Sequence, residues 1–220
     1  MFTVFFDRMG EKIETVNENK QIVPQSGVSL NDKDIDILKN ILLEGKNILV
    51  VGDKRTGKTT ILRSIINILD SSEKLLVFDD YNEIDISERE GMVFKIGFNS
   101  NSDIIGDQTK IHPHMDMIAK GLLLPFDRVI ADELFPREVD SILNALHGKR
   151  SGIFSVSFDG AENALKHIYS KTMYPSNKVL SPETLKIIKD QFRYCVTVNK
   201  TVTIEKIDIK EDKLLLEKIN

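Results

Sequence analysis

Residues 47–69 read NILVVGDKRTGKTTILRSIINIL, and this stretch decides the fold. An apolar run, Asn47–Val51, leads into Gly52-Asp-Lys-Arg-Thr-Gly57-Lys58-Thr59, which matches the phosphate-loop pattern G-x-x-x-x-G-K-[ST] (Walker A). Behind it, Thr60–Leu69 carries apolar residues at helical spacing. A buried strand, a glycine-bounded turn and a helix N-terminus together place backbone N–H groups around a polyphosphate. In such a turn Lys58 reaches the β and γ phosphates and Thr59 binds Mg²⁺. The expected nucleotide contacts are therefore Gly52, Asp53, Lys54, Arg55, Thr56, Gly57, Lys58, Thr59 and Thr60, with ATP and Mg²⁺ as the implied cofactors.

Working outward, the helix–strand alternation continues. Before the loop, SLNDKDIDILKNILLEGKN places Ile35, Leu38, Ile41 and Leu42 on one helical face, with Asn31 as cap and Gly45 as stop. After it, KLLVFDD, GMVFKIGF, DRVIADE and GIFSVSF read as strands, separated by the helical patterns MDMIAKGLLL, REVDSILNALHG and ENALKHIYS. Alternation of this kind predicts an α/β protein with a mainly parallel sheet covered on both faces. Ser181-Pro182 opens a last helix, ETLKIIKDQF, and then YCVTV, VTIEKIDI and LLLEKI predict a C-terminal β-meander on the sheet edge. Residues 1–28 hold short β-like runs, FTVFF, KIETV and KQIVP, broken by Gly10, Asn17, Pro24 and Gly27. The expected organisation is a short N-terminal β element over 1–28 followed by one domain over 29–220.

Composition narrows the function classes. At 220 residues the chain is long enough for one α/β domain with appendages. A net charge of −4, with 29% charged and 41% hydrophobic residues, offers no basic surface to a phosphate backbone, so nucleic-acid binding is not expected. No apolar run approaches the roughly 20 residues of a spanning helix, and the N-terminus lacks a signal-peptide pattern. The expectation is a cytoplasmic protein. The single cysteine, Cys195, sits in the strand-like FRYCVTV and reads as a packed thiol. His112 and His114 in KIHPHMD have no third ligand at a supporting spacing and read as a polar turn rather than a zinc pair.

Hydrolysis requires an acid at the end of a second buried strand. RVIADE supplies Asp132 and Glu133, one to hold Mg²⁺ and the other to orient or activate the attacking water. A further cluster, Asp79, Asp80 and Glu83 in FDDYNEI, falls at the end of another strand, on the edge where open α/β sheets place ligands.

In order, the phosphate loop, FDDYNEI, FDRVIADELF and HGKRSGIFSVSFDGAENAL resemble the RecA-like ATPases that drive type II and type IV secretion, conjugation and pilus extension or retraction. The resemblance covers about residues 29–200. Asp79, Asp80 and Glu83 fall on the three acids of that family's box I-E-D-x-x-E, and Glu133 falls on the glutamate of P-D-R-I-I-V-G-E-x-R, with Glu138 on a later acid. It implies Glu133, Lys58 and Glu83 as catalytic residues, and Thr59, Asp79 and Asp80 around the metal; Asp132, placed there by the strand-end reading above, stands where the family usually has glycine. It also implies a homo-oligomer, a hexameric ring when assembled, working at the inner face of a membrane on a secretion or pilus complex.

This sequence departs from the family at definite points. Arg55 replaces the middle glycine of the loop, where a positive φ would strain a non-glycine residue. Leu123 and Pro125 occupy the places of the arginines before P-D-R, and Phe135 that of the arginine after the glutamate. Lys149 and Ser157 stand where the histidine box has its histidines, with His147 two positions from the first. Some 28 residues also cannot be the large N-terminal domain usual in the family. Arg55, Arg128, Arg137, Lys149 and Arg150 are the cations left nearby to serve a γ-phosphate. Two alternatives stay open: a nucleotide-binding switch with little turnover, and a DNA-handling ATPase or small-molecule kinase.

Overall fold

The computed structural model describes residues 5–6, 12–13, 28–79, 83–87, 89–97, 113–136, 138–146, 148–173, 182–211 and 213–220. Asp80, His112, Arg137, His147, Ser181 and the run KQIVP lie outside them.

Two short strands, β1 (Phe5–Phe6) and β2 (Lys12–Ile13), pair antiparallel near the N-terminus. Helix α1 (Asp32–Leu43) then begins as its sequence asks. Asn31 accepts a hydrogen bond from the Asp34 N–H (2.9 Å), and Asp34 reaches back to the Asn31 N–H, forming a capping box. Gly45, at φ +64°, ends the helix and turns the chain into β3 (Asn47–Gly52). The remaining elements are α2 (Lys58–Asn67), β4 (Leu75–Phe78), β5 (Val93–Ile96), α3 (Pro113–Gly121), β6 (Arg128–Ala131), α4 (Val139–Ala145), β7 (Ser151–Ser157), α5 (Ala161–Met173), α6 (Pro182–Gln191), β8 (Phe192–Val198), β9 (Val202–Lys210) and β10 (Lys213–Lys218).

Eight strands form one sheet in the order β10-β9-β8-β3-β7-β6-β4-β5. From β8 to β5 every pairing is parallel, while β9 and β10 add antiparallel at the edge as the meander predicted. The parallel part is buried on both faces, which is why its strands are apolar without alternation. Along β3, Leu49 and Val51 point into one core layer with Leu76, Val129 and Phe154, roofed by α3 to α6 through Ile118, Ile142, Leu165 and Ile188. Ile48 and Val50 point into the other, with Val77, Ile130 and Ile153, roofed by α1 and α2 through Leu38, Ile41, Leu62 and Ile65.

This packing fixes the site. Because β3, β4, β6 and β7 run in the same direction, their C-terminal ends share one sheet edge. The chain leaves β3 towards β4 on one side and returns later to β8 on the other, so the turn after Gly52 lies where the winding reverses, the place open α/β sheets use for ligands.

Candidate functional site

The loop from Gly52 to Lys58 is tight because its surroundings allow nothing larger. A Cβ on Gly52 would lie 2.3 Å from the Val198 carbonyl oxygen and 2.5 Å from Thr56 Oγ1, so β8 and the loop itself exclude a side chain there. Thr56 closes the turn, with its N–H and hydroxyl donating to the Asp53 carbonyl at 3.3 and 2.9 Å. Gly57 caps α2 at φ +101° and brings no side chain to its N-terminus, which leaves the first N–H groups of α2 for a ligand. Arg55 is exposed and holds φ +66°. For a non-glycine residue that left-handed conformation costs about 1–2 kcal/mol.

Lys58 is 8% exposed and spans the loop, its Nζ donating to the Asp53 carbonyl at 3.0 Å. Burial pushes its pKa down, against the opposing pull of Glu133, Asp132, Asp53 and Glu83. Thr59 faces the carboxylates. Its Oγ1 lies 3.2 Å from Glu83 Oε2 and 3.2 Å from Asp132 Oδ1. A hydroxyl has one proton and can donate to only one of them. The second contact therefore requires a proton on a carboxyl group. Asp132 is the group suited to carry it: burial foremost, then the negative charges of Asp79 and Glu83, raise its pKa to about 7, against a small lowering by Thr59.

Asp132 and Glu133 follow β6 directly and differ in their ties. The Asp132 N–H continues the ladder to the Phe78 carbonyl (3.1 Å), and its own carbonyl accepts from the Ser155 hydroxyl, which leaves the carboxylate aimed at Thr59. The Glu133 carboxylate is held by one residue of β7, accepting from the Ser157 N–H at 2.8 Å and the Ser157 hydroxyl at 2.9 Å. Ser157 occupies a histidine position of the resembling family, and its role here is to fix Glu133. Serines at 155 and 157, two apart at the C-terminal end of a largely apolar strand, were the signal for this.

The acidic box divides its labour. Asp79 is fully buried, accepts from the Glu83 and Ile84 N–H groups at 3.0 and 2.8 Å, and pairs with Lys95 on β5 at 2.8 Å. Lys95 also donates to the Ile84 carbonyl at 2.7 Å. Asp79 thus shapes the turn that presents Glu83, and its oxygens are already engaged. Arg63 on α2 secures the same turn by donating to the Glu83 carbonyl. Lys95 had no signal in the sequence beyond a charge in an apolar strand.

Several expected cations lie elsewhere. Arg128 begins β6 at the opposite end of the strands, where Nε donates to Glu73 Oε2 at 2.7 Å and Nη2 to the Leu42 carbonyl at 3.4 Å. Lys149 and Arg150 precede β7 at that same end, and the Arg150 guanidinium covers the Phe126 ring at 4.4 Å. Glu138 is buried and accepts from the Phe135 N–H (3.3 Å), a structural tie at the head of α4. Of the candidate cations among the described residues, only Arg55 shares the loop's edge.

The residues fit a Mg²⁺ ion. A hydroxyl between two carboxylates is a donor set in which a divalent cation can replace the shared proton. Among the described residues no group of three or more His, Cys, Asp or Glu is placed to hold a metal by itself. Nucleotide-bound Mg²⁺ needs only one or two carboxylates, the remaining ligands being phosphate and water.

No family model and no curated protein matches the sequence. Solved structures do match in fold. The VirB11 ATPase of the Brucella suis type IV secretion system, in complex with sulphate, superposes with a TM-score of 0.59 at 12% identity over 86% of this chain and 51% of its own. The pilus retraction motor PilT with bound ADP gives 0.57 at 16% identity over 87% and 51%. The Legionella pneumophila ATPase DotB gives 0.51 at 16% over 81% and 47%. The chain spans about half the length of each. It therefore has the RecA-like α/β fold found in these secretion and pilus ATPases.

Proposed function

We propose that this chain binds ATP with Mg²⁺ and hydrolyses it as a motor subunit of a type II or type IV secretion, conjugation or pilus machine. The observation that carries the reading is the convergence of Lys58 and Thr59, at the head of α2, with Asp132, Glu133 and Glu83 from two other strand ends. Gly52 to Thr60 would surround the phosphates. Thr59 and Asp132 would hold Mg²⁺, whose charge would offset that of the phosphate oxygens, with Asp79 and Asp80 in the surrounding acidic box. Glu133, fixed by Ser157, would orient the attacking water, and Glu83 would assist from the far side of Thr59. The fold likeness to the secretion and pilus ATPases supports the setting: a ring-forming homo-oligomer, a hexamer when assembled, on the cytoplasmic face of a membrane complex. No described helix is long and apolar enough to cross a membrane.

Steady-state ATP turnover with and without Mg²⁺, for wild type and Glu133→Gln, tests this. Mg²⁺-dependent turnover lost in the variant with ATP affinity kept is the expected result; absence of ATP binding in the wild type refutes it. A second reading, a switch that binds ATP with little turnover, is favoured by one observation. Arg128, Lys149 and Arg150 sit at the opposite end of the sheet from the loop, which leaves the loop's own Lys54, Arg55 and Lys58 as its described cations. Binding without turnover, even in assembled complexes, selects it.

A further inference from the structure

The last strand of the sheet, β10, reads Lys213-Leu-Leu-Leu-Glu217-Lys218, and among the described residues it pairs only with β9. Which backbone groups it leaves open follows from the ladder. The Ile219 N–H donates to the Ile204 carbonyl at 2.9 Å, continuing the register that sets Lys218 against Glu205 and Lys213 against Lys210. In an antiparallel pair, residues that exchange hydrogen bonds alternate with residues that do not. The odd-numbered residues 213, 215, 217 and 219 therefore bond to β9, while Leu214, Leu216 and Lys218 turn their N–H and C=O groups outward.

Proteins blunt open edges with prolines, bulges or charges in mid-strand. Here the middle of the edge is three leucines, flanked by charges of opposite sign, Lys213 and Glu217, with Lys218 beyond. Leu214 and Leu216 are half-buried against the core layer roofed by α3 to α6, whereas Leu215, on the other face, is 44% exposed.

We propose that β10 pairs with β10 of a second copy, antiparallel about a two-fold axis through Leu215, so that the two sheets become one. This register is the one the strand's own chemistry selects. With Leu215 opposite its symmetry mate, Lys213 faces Glu217 of the other copy and Glu217 faces its Lys213, so two opposite-charge pairs flank three leucine pairs. The same register sets Leu214 against Leu216 of the other copy, and these are the residues whose backbone groups point outward. Charge complementarity and hydrogen-bond parity thus agree on one alignment, and a slip by one residue destroys both. The interface is isologous, as a closed two-fold dimer requires. It lies three strands from β3 and does not involve the phosphate loop, so it forms with or without nucleotide.

Sedimentation of the full chain without nucleotide, over a wide concentration range, reads the association. A concentration-dependent dimer is expected. Glu217→Lys sets like charges opposite each other twice and weakens dimerisation at least about tenfold, while Lys213→Glu combined with Glu217→Lys restores it. Both variants keep a lysine at 217 beside Lys206 within the chain, so recovery in the double variant reports the intermolecular pair. Leu215→Cys provides a measurement independent of stability. Residues opposite at a non-hydrogen-bonded position have Cα atoms about 4.5 Å apart, within disulfide reach. Mild oxidation should link two chains, with buried Cys195 silent, whereas Leu216→Cys should not, because its symmetry mate lies two residues along the partner strand. A monomer at every concentration overturns the proposal. A dimer indifferent to Glu217→Lys, or Leu215→Cys that never cross-links, overturns it as well.

Discussion

The two ends of the parallel sheet treat charge in opposite ways. At the N-terminal end, Arg128 is matched to Glu73 and to the Leu42 carbonyl, and Asp127 accepts from the Lys74 N–H at 2.9 Å. At the C-terminal end, Asp79, Glu83, Asp132 and Glu133 gather around Lys58 and Lys95, and Lys95 is committed to Asp79. The first arrangement finds its partners within the chain, although Arg128 Nη1 is buried without a hydrogen bond among the described residues. The second is buried and rich in carboxylate: burial foremost, then the charges of Asp79 and Glu83, raise the pKa of Asp132 to about 7, and burial depresses that of Lys58. Structural ion pairs close on themselves; a site built for a ligand keeps charge that only the ligand balances. The contrast predicts that substitutions at one end change stability and at the other change binding.

The largest effect is expected at Lys58. Lys58→Ala removes the cation that meets the phosphates and should weaken ATP binding by about three orders of magnitude, read by calorimetry. The fold should survive, because among the described residues the lysine's hydrogen bond is to the Asp53 carbonyl alone and its burial is itself unfavourable to the charged form. A folded variant with unchanged affinity breaks the contrast at its centre.

At the opposite end, Arg128→Met should cost about 2–3 kcal/mol of stability by denaturant unfolding, since it strands a half-buried Glu73. ATP affinity should not move. A loss of nucleotide binding without a loss of stability would mean that the two ends are not separable.

Glu133→Gln should keep ATP affinity and slow turnover at least about tenfold, close to 1.4 kcal/mol in the barrier, as for a group that acts mainly in the transition state. Ser157→Ala sharpens this. If Ser157 orients Glu133, the variant lowers kcat with KM nearly unchanged; equal loss in both would assign the serine to binding instead.

How much of this was legible beforehand depends on the range of the interactions involved. Strand β3, the loop and α2 were readable because the pattern is local: apolar run, fixed glycines, helical period. The meander was readable because β8, β9 and β10 follow one another and pair in sequence order. Asn31 and Gly45 announced the ends of α1 by their own side-chain and backbone chemistry. What could not be read was which acids are spent on structure. Asp79 and Glu83 look alike in FDDYNEI, and only the neighbouring strand, through Lys95, shows that Asp79 holds the turn while Glu83 faces Thr59. The positions of the cations were hidden for the same reason. Arg128, Lys149 and Arg150 are close to the second acidic site in sequence, but a strand separates each from the ligand edge.

The smallest effect tests the electrostatic half of the contrast in the metal-free protein. Folding raises the Asp132 carboxyl from the ordinary 3.8 to about 7, so between these values the folded chain holds a proton that the unfolded chain has released. Its contribution to stability is fully present below about pH 4 and is lost as pH rises through 7. Asp132→Asn has no such proton to lose. In the presence of a chelator the variant should therefore overtake wild type as pH rises, by about 1 kcal/mol at pH 8, less than the full shift implies because an amide reproduces the carboxyl's contact with Thr59 imperfectly. Unfolding curves of both proteins at pH 5, 6.5 and 8 supply the check. A difference that stays flat with pH, or one that falls as pH rises, would mean that burial and the neighbouring acids do not hold a proton on Asp132 in the free protein, and the contrast between the two ends would then rest on geometry alone.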